Sequence, residues 1–298
     1  LPGCAGIKIF MGSSTGSLLV DDPAQLEVAL RSGRRRVAVH AEDEARLQAR
    51  KHLTAGAHAR VHSTWRDATT AALATGRLLS LADRVGRPVH VLHVTSAEEL
   101  PILAKYKRIA TCEVAPQHLT LAGPECYDRL GTFAQMNPPI RSAEHRDALW
   151  RAVRAGLFDV VGSDHAPHTR EEKSKPYPES PSGMPGVQTL LPLLLDHAHH
   201  GRLTLERVVD LTSAGPARIY GMRGKGRIAM GFDADLALVD LARSPTFTAA
   251  EMATRCGRTP FEGTTVTGFP VATVLRAQIA MRDGQLVGSP AGQRLEFA

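Results

Sequence analysis

The sequence predicts an α/β protein with a parallel sheet, followed by a smaller β-rich region. Short apolar runs alternate with helical patterns through residues 1–223. This β-α-β-α order is typical of a parallel sheet whose strands are buried on both faces. From Gly224 onward, short strands separated by Gly and Asp replace the helices. We therefore predict two domains, residues 1–223 and residues 224–298.

The predicted strands of the first domain are short runs rich in β-branched and other apolar residues. They cover residues 7–11, 37–40, 89–94, 109–114 and 159–163. Helical patterns lie between and after them, over residues 23–31, 65–85, 96–106, 143–156 and 187–220.

Helix boundaries are predicted from capping residues. Asp22 is an N-cap candidate, Pro23 suits the first helical position and Gly33 suits a stop. Ser96 and Glu99 have the spacing of a capping box, and Ser142 precedes another helix. We expect Gly215–Pro216 to break the long pattern over 187–220. Residues 169–183, rich in Pro, Ser, Glu and Lys, predict a surface loop of the kind that can form a lid.

Composition excludes several classes of protein. At 298 residues, with 43% hydrophobic and 22% charged residues, the chain resembles an ordinary globular protein. No apolar run approaches the roughly 18 residues that span a bilayer, so no membrane partner is expected. Four scattered cysteines predict reduced thiols and a cytoplasmic location. The net charge of +6 comes from dispersed arginines, clustered only at 34–36, so nucleic-acid binding is not predicted.

Four residues at strand ends carry the functional signal. In VVGSDHAPH (160–168), Asp164 ends an apolar run, and His40 and His93 end two earlier strands. Carboxyl ends of parallel strands meet at one edge of a sheet, so these side chains can converge on a metal. Alternation along residues 89–94 places His93 on one face and His90 on the other. We expect His90 to pack against a helix or bond a backbone carbonyl.

Lys8 interrupts the apolar strand GIKIF, where an unpaired ammonium is costly to bury. One interpretation is a lysine whose amine reaches solvent at the strand end. The other is a lysine carboxylated by carbon dioxide, which can bridge two cations. The second interpretation makes Lys8, His40, His93 and Asp164 a binuclear metal site.

The motifs around these residues resemble the amidohydrolase superfamily, and within it the dihydroorotase family. They are GIKIFMGSSTG (6–16), VAVHAED (37–43), VLHVTSAEEL (91–100), EVAPQHLTL (113–121), QMNPPIR (135–141) and GSDHAPHTREEK (162–173). The resemblance implies a TIM-like (β/α)8 barrel with a small β-sandwich segment. It also implies reversible hydrolysis of L-dihydroorotate to N-carbamoyl-L-aspartate in pyrimidine biosynthesis.

The resemblance also implies roles for individual residues. Carboxylated Lys8 would bridge two zinc ions, and His40 and His93 would ligate the second. Asp164 would ligate the first zinc and act as general acid and base. Contacts with the substrate are implied for Asn137 and His168 and for the backbone near Ser182 and Gly183. A homo-oligomer is expected, and aspartate carbamoyltransferase is a candidate partner.

Two departures from the family pattern stand out. The family's HxHxR motif, which binds the first zinc and the substrate carboxylate, is absent; the HxH at 197–199 lies in a helical pattern and does not match it. We therefore expect that sequence precedes Leu1 and that the 298-residue chain alone is inactive. Gln117 also stands where the family often has His, which we interpret as a mild variation.

Two alternatives remain open. Allantoinases and hydantoinases share the Lys, His, His and Asp pattern, although the DHAPH ending with His168 favours dihydroorotase. A catalytically inactive dihydroorotase-like subunit of an aspartate carbamoyltransferase complex is the other alternative. Such subunits typically lose metal ligands, whereas all four candidate ligands are present in this chain.

Overall fold

A five-stranded parallel sheet forms the framework of the first region. The computed structural model describes residues 3–14 and 18–298, so Thr15 and Gly16 of the GIKIFMGSSTG motif lie outside the described residues. The strands are β1 (Gly6–Phe10), β2 (Arg36–His40), β3 (Val89–Val91), β4 (Ala110–Val114) and β5 (Val160–Val161). They pair in chain order, each parallel to the next. Each strand lies within one residue of its predicted start, although β3 and β5 end earlier than predicted.

Helices connect the strands and cover the sheet. They are α1 (Pro23–Arg31), α2 (Glu44–Arg50), α3 (His62–Trp65), α4 (Ala68–Val85), α5 (Glu99–Lys105), α6 (Pro116–Thr120), α7 (Glu125–Leu130), α8 (Ala143–Arg154), α9 (Arg170–Lys173), α10 (Leu190–His199), α11 (Leu205–Val209) and α12 (Gly215–Tyr220). Short 3-10 turns occur at Lys51–Thr54, Ala59–Val61, Gly131–Ala134 and Ala249–Glu251, and a π-helical turn at Asp210–Ala214.

Helix α4 shows how the sequence produces this layer. Asp67 accepts a hydrogen bond from the Thr70 backbone N–H at the start, and Gly86, with φ 70°, ends the helix. Ala74, Leu78 and the residues that share their face are buried against the sheet. Apolar residues spaced by three and four along the chain lie on one face of a helix, so the pattern fixes which side packs inward.

The β-rich region forms an antiparallel sheet of β6 (Leu236–Asp240), β7 (Phe269–Leu275), β8 (Gln278–Arg282) and β9 (Gln285–Leu286). The segment between β6 and β7 returns to the first region. Its Phe247, Phe261 and Val266 are buried in one cluster with Tyr127 and Met136. The two sheets confirm the predicted α/β class with a β-rich C-terminal part. The domain boundary at residue 223 stays a prediction.

One prediction about local structure is wrong, and another is incomplete. Gly215–Pro216 does not break the helical pattern: the π-helical turn leads directly into α12, with Pro216 in its first turn, where its missing N–H costs no hydrogen bond. The break falls earlier, after α10, where Gly201 has φ 72°. The segment 169–183 is also more than a surface loop. It contains α9, whose capping box is closed by Thr169 and Glu172, and three of its side chains are buried: Lys173, Tyr177 and Ser180.

Among the residues that the structure describes, no helix is long and apolar enough to cross a membrane.

Candidate metal and substrate site

A cavity of about 230 Å³ opens at the carboxyl ends of the parallel strands. Its walls include every predicted site residue except His168: Lys8, His40, His93, Asn137, Asp164, Ser182 and Gly183. Phe10 and Ser14 also line it and were not predicted. A cavity of this size suits a small metabolite rather than a polymer.

His40 and His93 approach each other inside this cavity. The Nδ1 atom of His40 lies 3.1 Å from Nε2 of His93, and both side chains are almost fully buried. Burial lowers the pKa of His40 and lowers that of His93 further, so both rings are neutral at pH 7. Neutral imidazole is the form that binds a metal.

A buried carboxylate stands behind His40. Glu42 is 0% exposed, and its Oε2 lies 2.9 Å from Nε2 of His40. The guanidinium of Arg66, itself 2% exposed, donates hydrogen bonds to the same carboxylate from Nε. Histidine ligands commonly direct their second ring nitrogen at a carboxylate, which fixes the tautomer and the ring orientation. With Nε2 of His40 beside Glu42, Nδ1 is the ring nitrogen that meets His93.

His93 and Asp164 share an uncommon backbone conformation. Their φ angles are +36° and +43°, in the left-handed region that residues with a side chain seldom adopt. His93 follows β3 after Leu92, Asp164 follows β5 after Gly162 and Ser163, and both side chains line the cavity. Non-glycine residues in this region concentrate at functional sites, where the surrounding structure compensates the strain.

Charges couple Lys8, Asp164 and Glu113. Burial raises the pKa of Asp164 to about 7, with a further contribution from Glu113, while Lys8 opposes the rise. The amine of Lys8 lies 4.4 Å from the ring centre of Phe10 and is open to the cavity. Desolvation lowers the pKa of Lys8 to about 8, partly offset by the two carboxylates.

The prediction that His90 packs against a helix is confirmed, because its ring meets that of Tyr220, the last residue of α12, edge-on with 5.9 Å between the ring centres. The alternation does not separate His90 from the site, however: His90 pairs with Ala38, which pairs with Lys8, so His90 is on the same face of the sheet as Lys8. Its ring nitrogens contact side chains and not a backbone carbonyl: Nδ1 lies 2.8 Å from Thr111 Oγ1 and Nε2 lies 3.1 Å from Glu113 Oε2. His93 still reaches the cavity because β3 ends at Val91 and the chain turns at His93.

Asn137, Ser182 and Gly183 form a second part of the cavity lining, the candidate substrate wall. A buried network holds this wall: Lys173 Nζ donates to the carbonyls of Gln135 (3.0 Å) and Pro181 (2.7 Å). The Gly183 N–H donates to the same Gln135 carbonyl, and the Gln135 side chain donates to Ser182 Oγ. Burial lowers the pKa of Lys173 to about 7, so this ammonium is unusually close to neutrality.

His168 and Gln117 lie just outside the cavity. His168 is one layer behind the wall, with Nε2 3.2 Å from the Ser182 carbonyl. Gln117 is 0% exposed, and its amide donates to the Ser163 carbonyl at 2.9 Å, which ties α6 to the residue before Asp164.

The histidine pair fits a tetrahedral metal ion. Two nitrogens that each lie about 2.0–2.1 Å from a tetrahedral zinc are separated by roughly 3.4 Å, close to the separation of 3.1 Å between His40 Nδ1 and His93 Nε2. Across residues 3–14 and 18–298, no three His, Cys, Asp or Glu side chains converge tightly enough to bind a metal by themselves. A metal here would therefore depend on Lys8 as well as on the histidines and Asp164.

Comparison with known proteins identifies the family. The model of the Amidohydrolase family matches residues 24–287. The chain belongs to the amidohydrolase family. Metal dependence is general in this family.

Curated relatives of this amidohydrolase are dihydroorotases. The chain is 39% identical to the dihydroorotase of Halobacterium salinarum over 97% of its own length and 67% of that protein. It is 35% identical to the dihydroorotase of Methanosarcina mazei, over 95% of the chain and 65% of the relative. The chain thus spans about two thirds of the relatives it matches. These relatives confirm the resemblance to dihydroorotase-type sequences.

Solved structures with the same fold are cyclic amidohydrolases. The L-hydantoinase from Arthrobacter aurescens superposes with a TM-score of 0.90 at 28% identity, covering 96% of this chain and 66% of that one. The dihydropyrimidinase from Brevibacillus agri gives 0.89 at 28% identity, covering 96% and 65%. These matches confirm the predicted TIM-like barrel class.

Proposed function

We propose that this amidohydrolase is a dihydroorotase, which hydrolyses L-dihydroorotate to N-carbamoyl-L-aspartate and closes the ring in the reverse direction. The main support is the cavity, which is lined by Lys8, His40, His93 and Asp164 together with Asn137, Ser182 and Gly183. The dihydroorotase relatives, at 32–39% identity, supply the substrate assignment.

Lys8, His40, His93 and Asp164 would hold two zinc ions, with Lys8 carboxylated so that it bridges them. When bound, the zinc ions would supply Lewis-acid activation of water and of the ring amide carbonyl. Nitrogen and oxygen donors of this kind suit zinc.

The chain's own residues would bind the ring and move the proton. The Asp164 carboxylate would accept a proton from the attacking water and deliver it to the ring nitrogen as the amide bond breaks. Asn137, the Gly183 backbone and the neighbouring Ser182 would hold the ring against the metal ligands. His168, whose Nε2 contacts the Ser182 carbonyl behind Asn137, Ser182 and Gly183, would contact the substrate from that side of the cavity.

Hydantoinase activity is the second candidate, because the solved structures that superpose on the chain include hydantoinases at TM-scores of 0.85–0.90. The sequence identities to these structures, 27–28%, are lower than those to the dihydroorotases. Steady-state assays of the complete encoded protein with L-dihydroorotate, N-carbamoyl-L-aspartate, hydantoin and allantoin separate the two. Turnover of hydantoin or allantoin without turnover of dihydroorotate would contradict the proposal.

A matched pair of variants tests the site. Asp164→Asn removes the proton acceptor and should abolish turnover, whereas Asp21→Asn, at an exposed position before α1, should not change it. Metal analysis tests the alternative of an inactive subunit, which should purify without stoichiometric zinc. Assembly as a homo-oligomer or with aspartate carbamoyltransferase, and a cytoplasmic location, remain part of the proposal.

A further inference from the structure

A buried histidine outside the predicted site contacts the substrate wall. His62, at the start of α3, is 0% exposed. Its Nε2 lies 2.9 Å from Oδ1 of Asn137 and 3.0 Å from the backbone carbonyl of Met136. On the other side of the ring, Nδ1 lies 3.3 Å from the hydroxyl of Tyr177.

The contacts determine which nitrogen of His62 carries the hydrogen. The Met136 carbonyl can only accept a hydrogen bond, so Nε2 must be the donor. The Tyr177 hydroxyl can then donate to Nδ1. Burial, followed by the nearby charge of Arg66, lowers the pKa of His62 to about 3, so the ring stays neutral in this tautomer.

The tautomer in turn fixes the amide of Asn137. A nitrogen that donates must face an acceptor, so the atom of Asn137 near Nε2 is the oxygen. Asn137 also lines the cavity. Its NH2 group is therefore the end of the amide left to meet a ligand.

We propose that His62 is a positioning residue that sets substrate selectivity by holding the Asn137 NH2 group toward the cavity. This wall then accepts a ligand that presents a carbonyl or carboxylate oxygen, and it rejects one that presents an N–H at the same place. A freely rotating Asn137 amide could pair with a ligand oxygen or with a ligand N–H. An amide whose NH2 group is held toward the cavity pairs only with the oxygen and leaves a ligand N–H without a hydrogen-bond partner. The inference rests on the proposed function, since it assigns a role to the wall of that same site.

Three substitutions test this role in steady-state assays of the complete encoded protein with L-dihydroorotate. His62→Phe keeps the ring volume but removes the donor, and kcat/KM should fall roughly 10- to 100-fold, mainly through KM. His62→Gln can place its own NH2 group near the position of Nε2, and it should recover most of that loss. His52→Phe, at an exposed position upstream, should match the wild type. A loss in His62→Gln as large as in His62→Phe, with both proteins folded, would overturn the proposal.

Coupling to Asn137 separates positioning from a general structural effect. In Asn137→Asp both side-chain ends are oxygens, so an oxygen meets the cavity whichever way His62 holds the side chain. Adding His62→Phe to Asn137→Asp should therefore leave kcat/KM at the value of the single variant. Additive losses in the double variant would mean that His62 acts by another route.

A second measurement does not depend on catalysis. Nitrogen chemical shifts of the His62 ring in the wild-type protein should report hydrogen on Nε2 at pH 7. Hydrogen on Nδ1 would refute the assigned orientation of Asn137. If the tautomer is as expected but no dihydroorotate is turned over, the proposed function fails while the orientation of Asn137 stands.

Discussion

Replacing Glu42 with glutamine tests whether the carboxylate behind His40 supports both the fold and the site. Burial by itself would raise the pKa of Glu42, but the charge of Arg66 and the hydrogen bonds with His40 and Arg66 hold it well below its usual range. Glu42 is therefore ionised and paired in the native protein, at 0% exposure.

The expected cost follows from the burial of the partner. In Glu42→Gln, the guanidinium of Arg66, 2% exposed, loses its counter-ion. Breaking one side of a buried ion pair costs about 3–5 kcal/mol. Glutamine keeps an oxygen that can accept from Arg66, and the Ser13 carbonyl still accepts from Nη2. We therefore expect the lower end, about 3 kcal/mol.

The pH dependence has a defined sign. The native pKa of Glu42 lies below the ordinary value of 4.5, so its ionised form stabilises the native state above that pH. The contribution is lost as the pH falls from about 4.5 toward the native pKa. The difference in stability between the wild type and Glu42→Gln should therefore shrink in acid.

Urea denaturation of the metal-free protein at pH 7 measures the stability, and zinc titration measures the site. Loss of a carboxylate behind a histidine ligand typically weakens metal binding by about 10- to 100-fold. The control is Glu27→Gln, at a surface pair with Arg31 and Arg84, which should not change either quantity. Wild-type urea resistance together with wild-type zinc affinity in Glu42→Gln would refute the role assigned to Glu42.

Two further predictions concern the strand end and a buried histidine. A Cβ added at Gly186 would lie 2.4 Å from the Ser163 carbonyl, so Gly186→Ala should displace the residue before Asp164 and reduce turnover. The control is Gly292→Ala, where an added Cβ meets no atom within 4 Å and the backbone is not left-handed. Loss of urea resistance without loss of turnover would contradict this. Burial lowers the pKa of His197 in the folded protein to about 4. As the pH is lowered from 6.5 to 4, His197 is therefore protonated in the unfolded chain before it is protonated in the folded one, and the free energy of unfolding should fall. His197→Phe should remove up to about 3 kcal/mol of that fall, and the control His199→Phe, at an exposed position, almost none. If the free energy of unfolding changes equally with pH in the wild type and in both variants, the role assigned to His197 is refuted.

The elements that depend on local sequence were predictable. Helix α1 has its predicted bounds because Asp22 caps it and Pro23 fits its first turn, and both signals lie within the helix itself. The strands of the parallel sheet followed from apolar runs. The convergence of Lys8, His40, His93 and Asp164 on one cavity also followed, since the carboxyl ends of parallel strands share an edge.

Features that depend on distant partners were not predictable. The face of His90 could not be derived by continuing the alternation to His93, because the strand ends between them. Glu42 and His62 depend on Arg66 and Asn137, which lie 24 and 75 positions away along the chain. The acidic residues directly after His40 were the one available signal, since a carboxylate next to a candidate ligand is typical of a second layer around a metal.

The left-handed backbone at His93 and Asp164 limits how this site can be altered. At these two positions the left-handed backbone turns the chain, so the next side chain points in a different direction from the one it would have in a continuing strand. Moving the His93 imidazole or the Asp164 carboxylate to a neighbouring position in the sequence would therefore point it away from the cavity. Glycine would relieve the torsional cost at the same positions but would supply no donor atom. At the proposed metal site, donor chemistry and chain conformation are therefore selected jointly, and redesign for a different cation has to begin with these two turns rather than with an exchange of side chains.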